Sequence, residues 1–217
     1  MVHTGPAPDR LNRHGFATER LIVDLPTQDD ANALYHLVGG PDRRELCATL
    51  MWDGPDDLDE IRSWIDKCEN ETFEDFGYHW ILRDRSGAVC GAGQAVGAMG
   101  TCPRTEPGRA DVGYWLGRPY WGQGLMGEAL RSLIDYGFAT LDYYKIEADV
   151  FTNNERGIRL VESAGMTREG VALKAMRKYG EFIDNAVYGL LRENWSRPEP
   201  NVRSPVRSRD GEPGSLR

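Results

Sequence analysis

The sequence predicts a single-domain fold of mixed α/β (α+β) class, a β-sheet flanked by helices. Three observations carry that prediction. Strand-like and helix-like segments follow one another as βααββ, then βαβα, then ββ. Only the middle stretch forms a strand–helix–strand unit, which must cross over right-handed to a parallel or splayed neighbour, while hairpins flank it. The chain of 217 residues carries no internal repeat and is long enough for one full core.

Each element has a local reason. Residues 19–25 (Glu-Arg-Leu-Ile-Val-Asp-Leu) read as a short strand. Thr27 then offers an N-cap, with Asp29 and Asp30 as first-turn acids. Ala31, Leu34, Leu37 and Val38 form that helix's apolar stripe, and Gly39-Gly40-Pro41 ends it. A second helix over 57–69 places Leu58, Ile61, Trp64, Ile65 and Cys68 on one face. Residues 78–84 and 88–96 read as strands joined by a tight turn at Arg85-Ser86-Gly87, and 97–108, with its prolines, reads as a loop. A strand follows at 110–116, and then a helix at 124–141 with Met126, Ala129, Leu130, Leu133, Ile134 and Gly137 on one face. Residues 145–151 form a strand, and 154–164 a short helix closed by Gly165. Two last strands, 171–177 and 183–192, join around Tyr179-Gly180.

Composition removes several functions. The net charge is −8, whereas a protein that wraps nucleic acid is usually basic, so neither nucleic acid nor a polybasic membrane contact is expected. No run approaches the ~18 apolar residues of a membrane span. The first twelve residues are polar with no apolar stretch, so no secretory signal is expected. Cys47, Cys68, Cys90 and Cys102 lack metal-ligand spacing and read as free thiols of a reducing cytoplasm. The scattered His3, His14, His36 and His79 argue against a zinc site. Residues 1–12 and the Pro/Ser/Arg-rich 196–217 are expected to be disordered, which leaves 13–195 as the folded domain.

The most informative stretch runs from Val112 to Ala129. A strand enters a glycine-rich turn, Trp121-Gly122-Gln123-Gly124, which opens a long amphipathic helix. A helix start offers N–H groups without intrahelical partners and a partial positive charge, and glycines let an anion approach the backbone. A plain strand-to-helix turn would use the same glycines. Gly122, Gly124 and Gly127 also satisfy G-x-G-x-x-G, with Asp149 placed 22 residues later where a dinucleotide fold wants an acid. Against a nicotinamide-binding protein, Gly117-Arg118-Pro119-Tyr120-Trp121 separates the strand from the glycines, and only one βαβ unit is visible.

These residues resemble the GNAT N-acetyltransferase superfamily, in its RimJ/RimL branch of ribosomal-protein N-terminal acetyltransferases. The superfamily's pyrophosphate loop reads Arg or Gln, x, x, Gly, x, Gly or Ala. Its positions fall on Trp121, Gly122, Gln123, Gly124, Leu125 and Met126, so Trp121 and Met126 depart from it. In this branch, however, Tyr-Trp-Gly-Gln-Gly followed by Glu-Ala recurs. Glu19-Arg20-Leu21 is similar to the branch's opening strand. Asn154 followed by Gly165-Met166 is similar to its Asn…Gly-Phe segment, and Gly180 with Asp184 and Tyr188 to its closing hairpin. The resemblance spans about Thr18 to Trp195. It implies a twisted sheet splayed between its two middle strands, with acetyl-CoA in the gap.

The resemblance also assigns roles. Peptide N–H groups from Gly122 to Gly127 would hold the pyrophosphate, and Tyr114, Trp115 and Leu116 would pair with the pantetheine arm as an added strand. Asn154 would contact the pantetheine region, while its place in Thr152-Asn153-Asn154-Glu155 also suits helix capping. Where relatives carry Ser this chain has Gly157, and where many carry a Tyr acid it has Val161. Acetyl transfer to an amine also needs a proton acceptor. The candidates are Glu147, favoured for its reach, and Asp111, which opens the strand beneath the acetyl site. The last-hairpin base of some relatives falls on Met176, which cannot serve. His79 is a further candidate, and Trp52, in the loop Thr49–Pro55, is expected to contact the acceptor. Water can also deprotonate an α-amine of pKa ~8.

The expected function is therefore transfer of acetyl from acetyl-CoA to a primary amine, a protein or peptide N-terminal α-amine first. A small amine (aminoglycoside, polyamine or toxin) and a non-catalytic acyl-CoA sensor are the alternatives, and both monomer and homodimer stay open.

Overall fold

The computed structural model describes residues 15–71 and 75–196. Residues 1–12, and the 196–217 tail beyond Ser196, lie outside the described residues. The strands are β1 (Phe16–Ala17), β2 (Leu21–Asp24), β3 (Tyr78–Asp84), β4 (Ala95–Pro103), β5 (Arg109–Leu116), β6 (Lys145–Phe151), β7 (Thr167–Lys178) and β8 (Glu181–Leu191). The helices are α1 (Ala31–Val38), α2 (Arg43–Cys47), α3 (Leu58–Asn70), α4 (Leu125–Ala139) and α5 (Glu155–Ser163). One eight-stranded sheet has the order β1-β2-β3-β4-β5-β6-β8-β7. Every neighbouring pair is antiparallel except β5 and β6, the crossover pair that α4 connects.

The helices cover both faces. α4 and α5 bury Leu125, Leu130, Leu133 and Val161 against Ala110, Val112, Ile146 and Ala148. On the other face α1, α2 and α3 bury Leu34, Leu46, Ile61 and Ile65 against Ile81, Ala98 and Trp115. Strand alternation therefore sends Ala110 and Val112 toward α4, and Asp111, Gly113 and Trp115 toward α1–α3.

Starts and stops follow local chemistry. The Asp30 carboxylate accepts the Thr27 N–H at 2.8 Å, and a short 3-10 turn, Gln28–Asp30, leads into α1. Asp57 caps α3 by accepting from the Glu60 N–H at 3.0 Å. Between β7 and β8 the turn is Tyr179 at φ 51° and Gly180 at φ 93°, the left-handed pair that matches strand twist.

The predicted tight hairpin at 85–87 and the loop at 97–108 are both wrong. The connection runs from 85 to 94, and 95–103 is the central strand β4. Its small residues hid it. A Cβ at Gly97 would lie 2.2 Å from the Trp115 carbonyl oxygen, and one at Gly100 2.5 Å from His79 Nδ1, so glycine is needed for packing rather than for turning. The short helix α2 was also missed, because five residues, Arg43–Cys47, show too little of a helical period.

The long β3–β4 connection is wound on one carboxylate. Asp84, fully buried, accepts N–H groups from Ser86 (3.2 Å), Gly87 (3.0 Å), Val89 (2.8 Å), Cys90 (2.7 Å) and Gly91 (3.1 Å). Burial pushes its pKa up, but these donors outweigh it and hold the carboxyl well below the usual carboxylate range. A depressed folded-state pKa contributes stability above the unfolded value of ~3.9, and that contribution is lost as pH falls through the folded value. Asp84→Asn puts a donor among donors. It is expected to lower Tm by several degrees near neutral pH and to flatten the acid-side fall of Tm, read by thermal melts across pH.

Candidate active site

The central feature is a fork in the sheet. β5 and β6 pair only at Arg109–Lys145, Ala110–Ile146 and Asp111–Glu147. Beyond Asp111, β5 stays bonded to β4 through Leu116, while β6 follows β8 through Phe151. The gap-facing main-chain groups of Tyr114, Trp115 and Leu116 are thus not paired with β6, and an extended amide-bearing ligand can take its place.

The glycine-rich turn lies at the wide end of the gap. After Leu116 the chain passes a 3-10 turn, Arg118–Tyr120, then Trp121-Gly122-Gln123-Gly124. Gly122 (φ +75°) and Gly124 (φ +74°) are left-handed, and nothing lies within 4 Å of a Cβ built on Gly122. Conformation and open space, not crowding, call for glycine here. The N–H groups of Leu125, Met126 and Gly127 fall in the first turn of α4, where no intrahelical carbonyl reaches them. Arg20 fixes this turn, with Nη1 donating to the Gln123 carbonyl at 2.8 Å and Nε to Glu128 at 2.7 Å. Glu128 also accepts from the Thr18 hydroxyl and from the Arg20 N–H.

Trp121 carries two guanidinium groups on its ring, Arg118 at 4.8 Å and Arg156 at 4.4 Å from the centroid, and its indole N–H donates to the Leu116 carbonyl at 2.8 Å. A tryptophan where the superfamily favours Arg or Gln thus still brings cations to the turn. Sequence reading missed Arg20, Arg118 and Arg156. Only Arg20 carried a signal, inside the Glu-Arg-Leu strand motif. Asn154 caps α5 by accepting from the Gly157 N–H at 3.0 Å. A Cβ on Gly157 would lie 2.5 Å from Asn154 Nδ2, so the cap accounts for the glycine. Val161 is fully buried in the core. An open left-handed turn, free helix N–H groups and nearby arginines fit a pyrophosphate, and the forked sheet fits the arm behind it.

At the closed end of the fork lies a charged cluster on the α1–α3 face. Arg104 Nη2 donates to Asp111 at 2.8 Å and to Asp149 at 2.7 Å. Arg109 donates to both oxygens of Glu147, at 2.9 and 2.7 Å, and Lys145 lies 3.2 Å from it. The two candidate bases differ sharply. Burial raises the Asp111 pKa to about 7, with the charge of Asp149 adding to the rise and Arg104 opposing it. Burial also pushes Glu147 up, but the bonds from Arg109 and Lys145 win and lower it. The two carboxylates also differ in exposure, with the Asp111 side chain 27% exposed. The Glu147 side chain is 4% exposed, and both of its oxygens are held by cations. Asp149, the acid of the dinucleotide alternative, faces away from α4 and pairs with Arg104, which removes that alternative's ribose contact.

The other candidates separate. His79 packs against Phe76 and Trp64 under α3, its Nε2 donates to the Phe76 carbonyl at 2.9 Å, and burial lowers its pKa. It stands on β3, with β4 between it and the forked strand, so it is a packing residue. Met176 flanks an irregularity in the β7–β8 register. Trp52 is exposed and lines a cavity of about 720 Å³ with Arg43, Arg44, Asp53, Glu60 and Tyr179. No helix among the described residues is long and apolar enough to cross a membrane.

Comparison with known proteins agrees with this geometry. Residues 20–167 match the family model described as an acetyltransferase (GNAT) domain. The N-acetyltransferase p20 of Bacillus licheniformis is 38% identical over 180 residues, covering 82% of this chain and 97% of that protein. The [ribosomal protein uS5]-alanine N-acetyltransferase of Escherichia coli is 31% identical over 85 residues, 39% of this chain and 44% of that one. Among solved structures, RimL, the ribosomal L7/L12 α-N-protein acetyltransferase in complex with coenzyme A, superposes with a TM-score of 0.70 at 18% identity, over 80% of this chain and 95% of that one.

The turn makes a direct prediction. Gly124→Glu sets a carboxylate where the pyrophosphate would lie and should weaken acetyl-CoA binding at least tenfold by calorimetry. Gly124→Ala carries the same left-handed strain, roughly 1–2 kcal/mol, without the charge. It should lose stability but much less affinity. Equal affinity losses in the two variants would assign the effect to backbone strain alone.

Proposed function

Because the chain belongs to the GNAT acetyltransferase family and is an acetyl-CoA-dependent N-acetyltransferase, we propose that its acceptor is the N-terminal α-amine of a protein or peptide, with Asp111 as the general base. The observation that carries this reading is the place of Asp111, a partly exposed carboxylate at the last paired position of the fork, held by Arg104 at 2.8 Å, with burial raising its pKa to about 7. A base works best when its pKa lies near the working pH and near that of the proton it takes. An α-amine at ~8 matches; a lysine-like amine at ~10.4 is held by a far stronger bond to its proton. The ribosomal-protein acetyltransferases among the relatives support the same acceptor class.

The roles of the chain's own groups follow. The first-turn N–H groups of α4, with Arg20, Arg118 and Arg156 nearby, would hold the pyrophosphate, and the free edge of Tyr114–Leu116 would align the pantetheine, with a main-chain N–H there placed to polarise the thioester carbonyl. Acetyl-CoA would supply the acetyl group as a thioester, whose carbon–sulfur bond breaks as the carbon–nitrogen bond forms, coenzyme A leaving as a thiolate that takes the amine's second proton. Ionised Asp111 takes the proton from the acceptor ammonium, directly or through one water. Arg104, bonded to Asp111 and Asp149 together, fixes the carboxylate and keeps its pKa from rising further.

Since the base must be ionised, kcat/KM for an N-terminal peptide is expected to climb as pH rises through about 7. Asp111→Asn should lower it ~100-fold or more and remove that inflection, leaving only the amine's own near ~8. Glu147→Gln should leave the inflection in place. A pH profile of acetyl-CoA consumption, with mass-spectrometric location of the acetyl group, checks both. Acetyl on lysine side chains or on small amines alone would overturn the α-amine reading.

A further inference from the structure

Five glycines lie within the strands of the sheet, at 97, 100, 113, 170 and 189. Packing explains three of them. A Cβ would meet the Trp115 carbonyl oxygen at Gly97, His79 Nδ1 at Gly100 and Glu169 Oε1 at Gly189, at 2.2, 2.5 and 2.3 Å. Gly170 is open, but it lies on the edge strand β7 beside a register irregularity. Gly113 is different. It stands in β5, with strands on both sides, it pairs regularly with Gly100, and its backbone is not left-handed. Nothing lies within 4 Å of a Cβ built on it. Neither conformation nor crowding calls for glycine there, and glycine weakens a strand interior unless something approaches it closely.

Its surroundings belong to the site. Gly113 follows Asp111 by two residues, so both face the α1–α3 side. The pairing of β5 with β6 ends at Asp111, so Gly113 already borders the gap. It is exposed, while Val112 is buried and Asp111 and Tyr114 are half-buried. α1–α3 cover Ala98 and Trp115, one step along the same face, and leave the space over Gly113 open. Toward β4 the His79 ring lies over Gly100 and forms a wall. At the other end Arg104 holds Asp111 and Asp149 together. The result is an open hollow between Asp111 and Trp115, with a backbone floor at Gly113.

We propose that this hollow receives the carbon that bears the acceptor's amine, together with its branch, and that the bare backbone at Gly113 is what admits a branched α-carbon. This rests on the α-amine reading above. An amine hydrogen-bonded to Asp111 stands about 3 Å from the carboxylate, and its carbon lies ~1.5 Å beyond the nitrogen. Positions two apart on a strand are separated by about 7 Å. The carbon and its first substituents therefore come over Gly113. An α-amine sits on a carbon that carries both a side chain and a carbonyl, whereas the ε-amine of lysine sits on an unbranched methylene. Branching needs room beside the base, and a side chain at 113 would take that room. The acyl group is the other candidate for space near the fork. With the pantetheine along the β5 edge it would lie in the plane of the sheet, whereas the hollow opens on the Asp111 face.

The test uses hexapeptides that differ only in the first residue, alanine or leucine against glycine, whose α-carbon bears no side chain. The wild type is expected to acetylate all three at the α-amine, located by mass spectrometry. Gly113→Ala and Gly113→Ser should lower kcat/KM for the alanyl and leucyl peptides about tenfold or more relative to the glycyl peptide. Acetyl-CoA affinity by calorimetry should stay unchanged. The Tm of Gly113→Ala should be unchanged or higher, because the unfolded chain loses entropy and the strand accepts the methyl. An unchanged peptide ratio in either variant overturns the proposal, and so does a wild type confined to the glycyl peptide. A fall in acetyl-CoA affinity overturns it by placing Gly113 against the cofactor. Propionyl-CoA covers the remaining occupant: variants that lose propionyl transfer but keep the wild-type peptide ratio assign the hollow to the acyl group, and the proposal fails. A wild type that acetylates only the lysine side chain of an N-terminally blocked peptide overturns the α-amine reading itself.

Discussion

β5 and β6 share three paired positions and then part, and this divergence governs the rest of the site. A parallel pair that separates leaves main-chain donors and acceptors unsatisfied along two edges, a state that costs free energy unless solvent or a ligand supplies partners. The fold tolerates it because each strand is anchored on its far side, β5 by seven paired positions with β4 and β6 by seven with β8. α4 and its buried stripe of Leu125, Ala129, Leu130, Leu133 and Ile134 lie across one face of the fork. The gap is thus a slot whose two edges are each anchored by a fully paired strand.

Positioning of the slot's open end depends on Arg20 and Glu128, 108 residues apart. The carboxylate gathers the Thr18 hydroxyl, the Arg20 N–H and the Arg20 guanidinium, and the same guanidinium reaches the Gln123 carbonyl. As a surface ion pair it would contribute ~1 kcal/mol or less. Its larger effect is geometric: it ties the Gln123 carbonyl of the turn and the Glu128 side chain of the α4 first turn to the β2 strand entry. Two sequence motifs that looked independent, Glu-Arg-Leu near the start and Glu-Ala after the glycines, are one contact in space.

Legibility in the sequence followed pattern strength. The amphipathic helices α3 and α4, the strand Lys145–Phe151 and the closing hairpin were readable because their periods are long and their caps explicit. β4 was not, since Ala95-Val96-Gly97-Ala98-Met99-Gly100 carries glycines for close sheet packing that read as loop signals. The glycine turn was legible because backbone conformation dictates its residues. The choice between Asp111 and Glu147 was not, because it depends on Arg104, Arg109 and Lys145, whose approach is set by register across three strands. Lys178 gave no signal at all: a lysine at a hairpin end looks solvated, yet its Nζ donates to the carbonyl of Trp52, 126 residues away.

The slot is also electrically polar. A chain of net charge −8 gathers Arg20, Arg118 and Arg156 at its wide end, beside the positive end of the α4 dipole. At the closed end Asp111, Asp149 and Glu147 face Arg104, Arg109 and Lys145, so three carboxylates meet three cations and their formal charges cancel. The wide end thus suits an anionic ligand, whereas at the closed end the ions satisfy one another and act by position rather than as a net field.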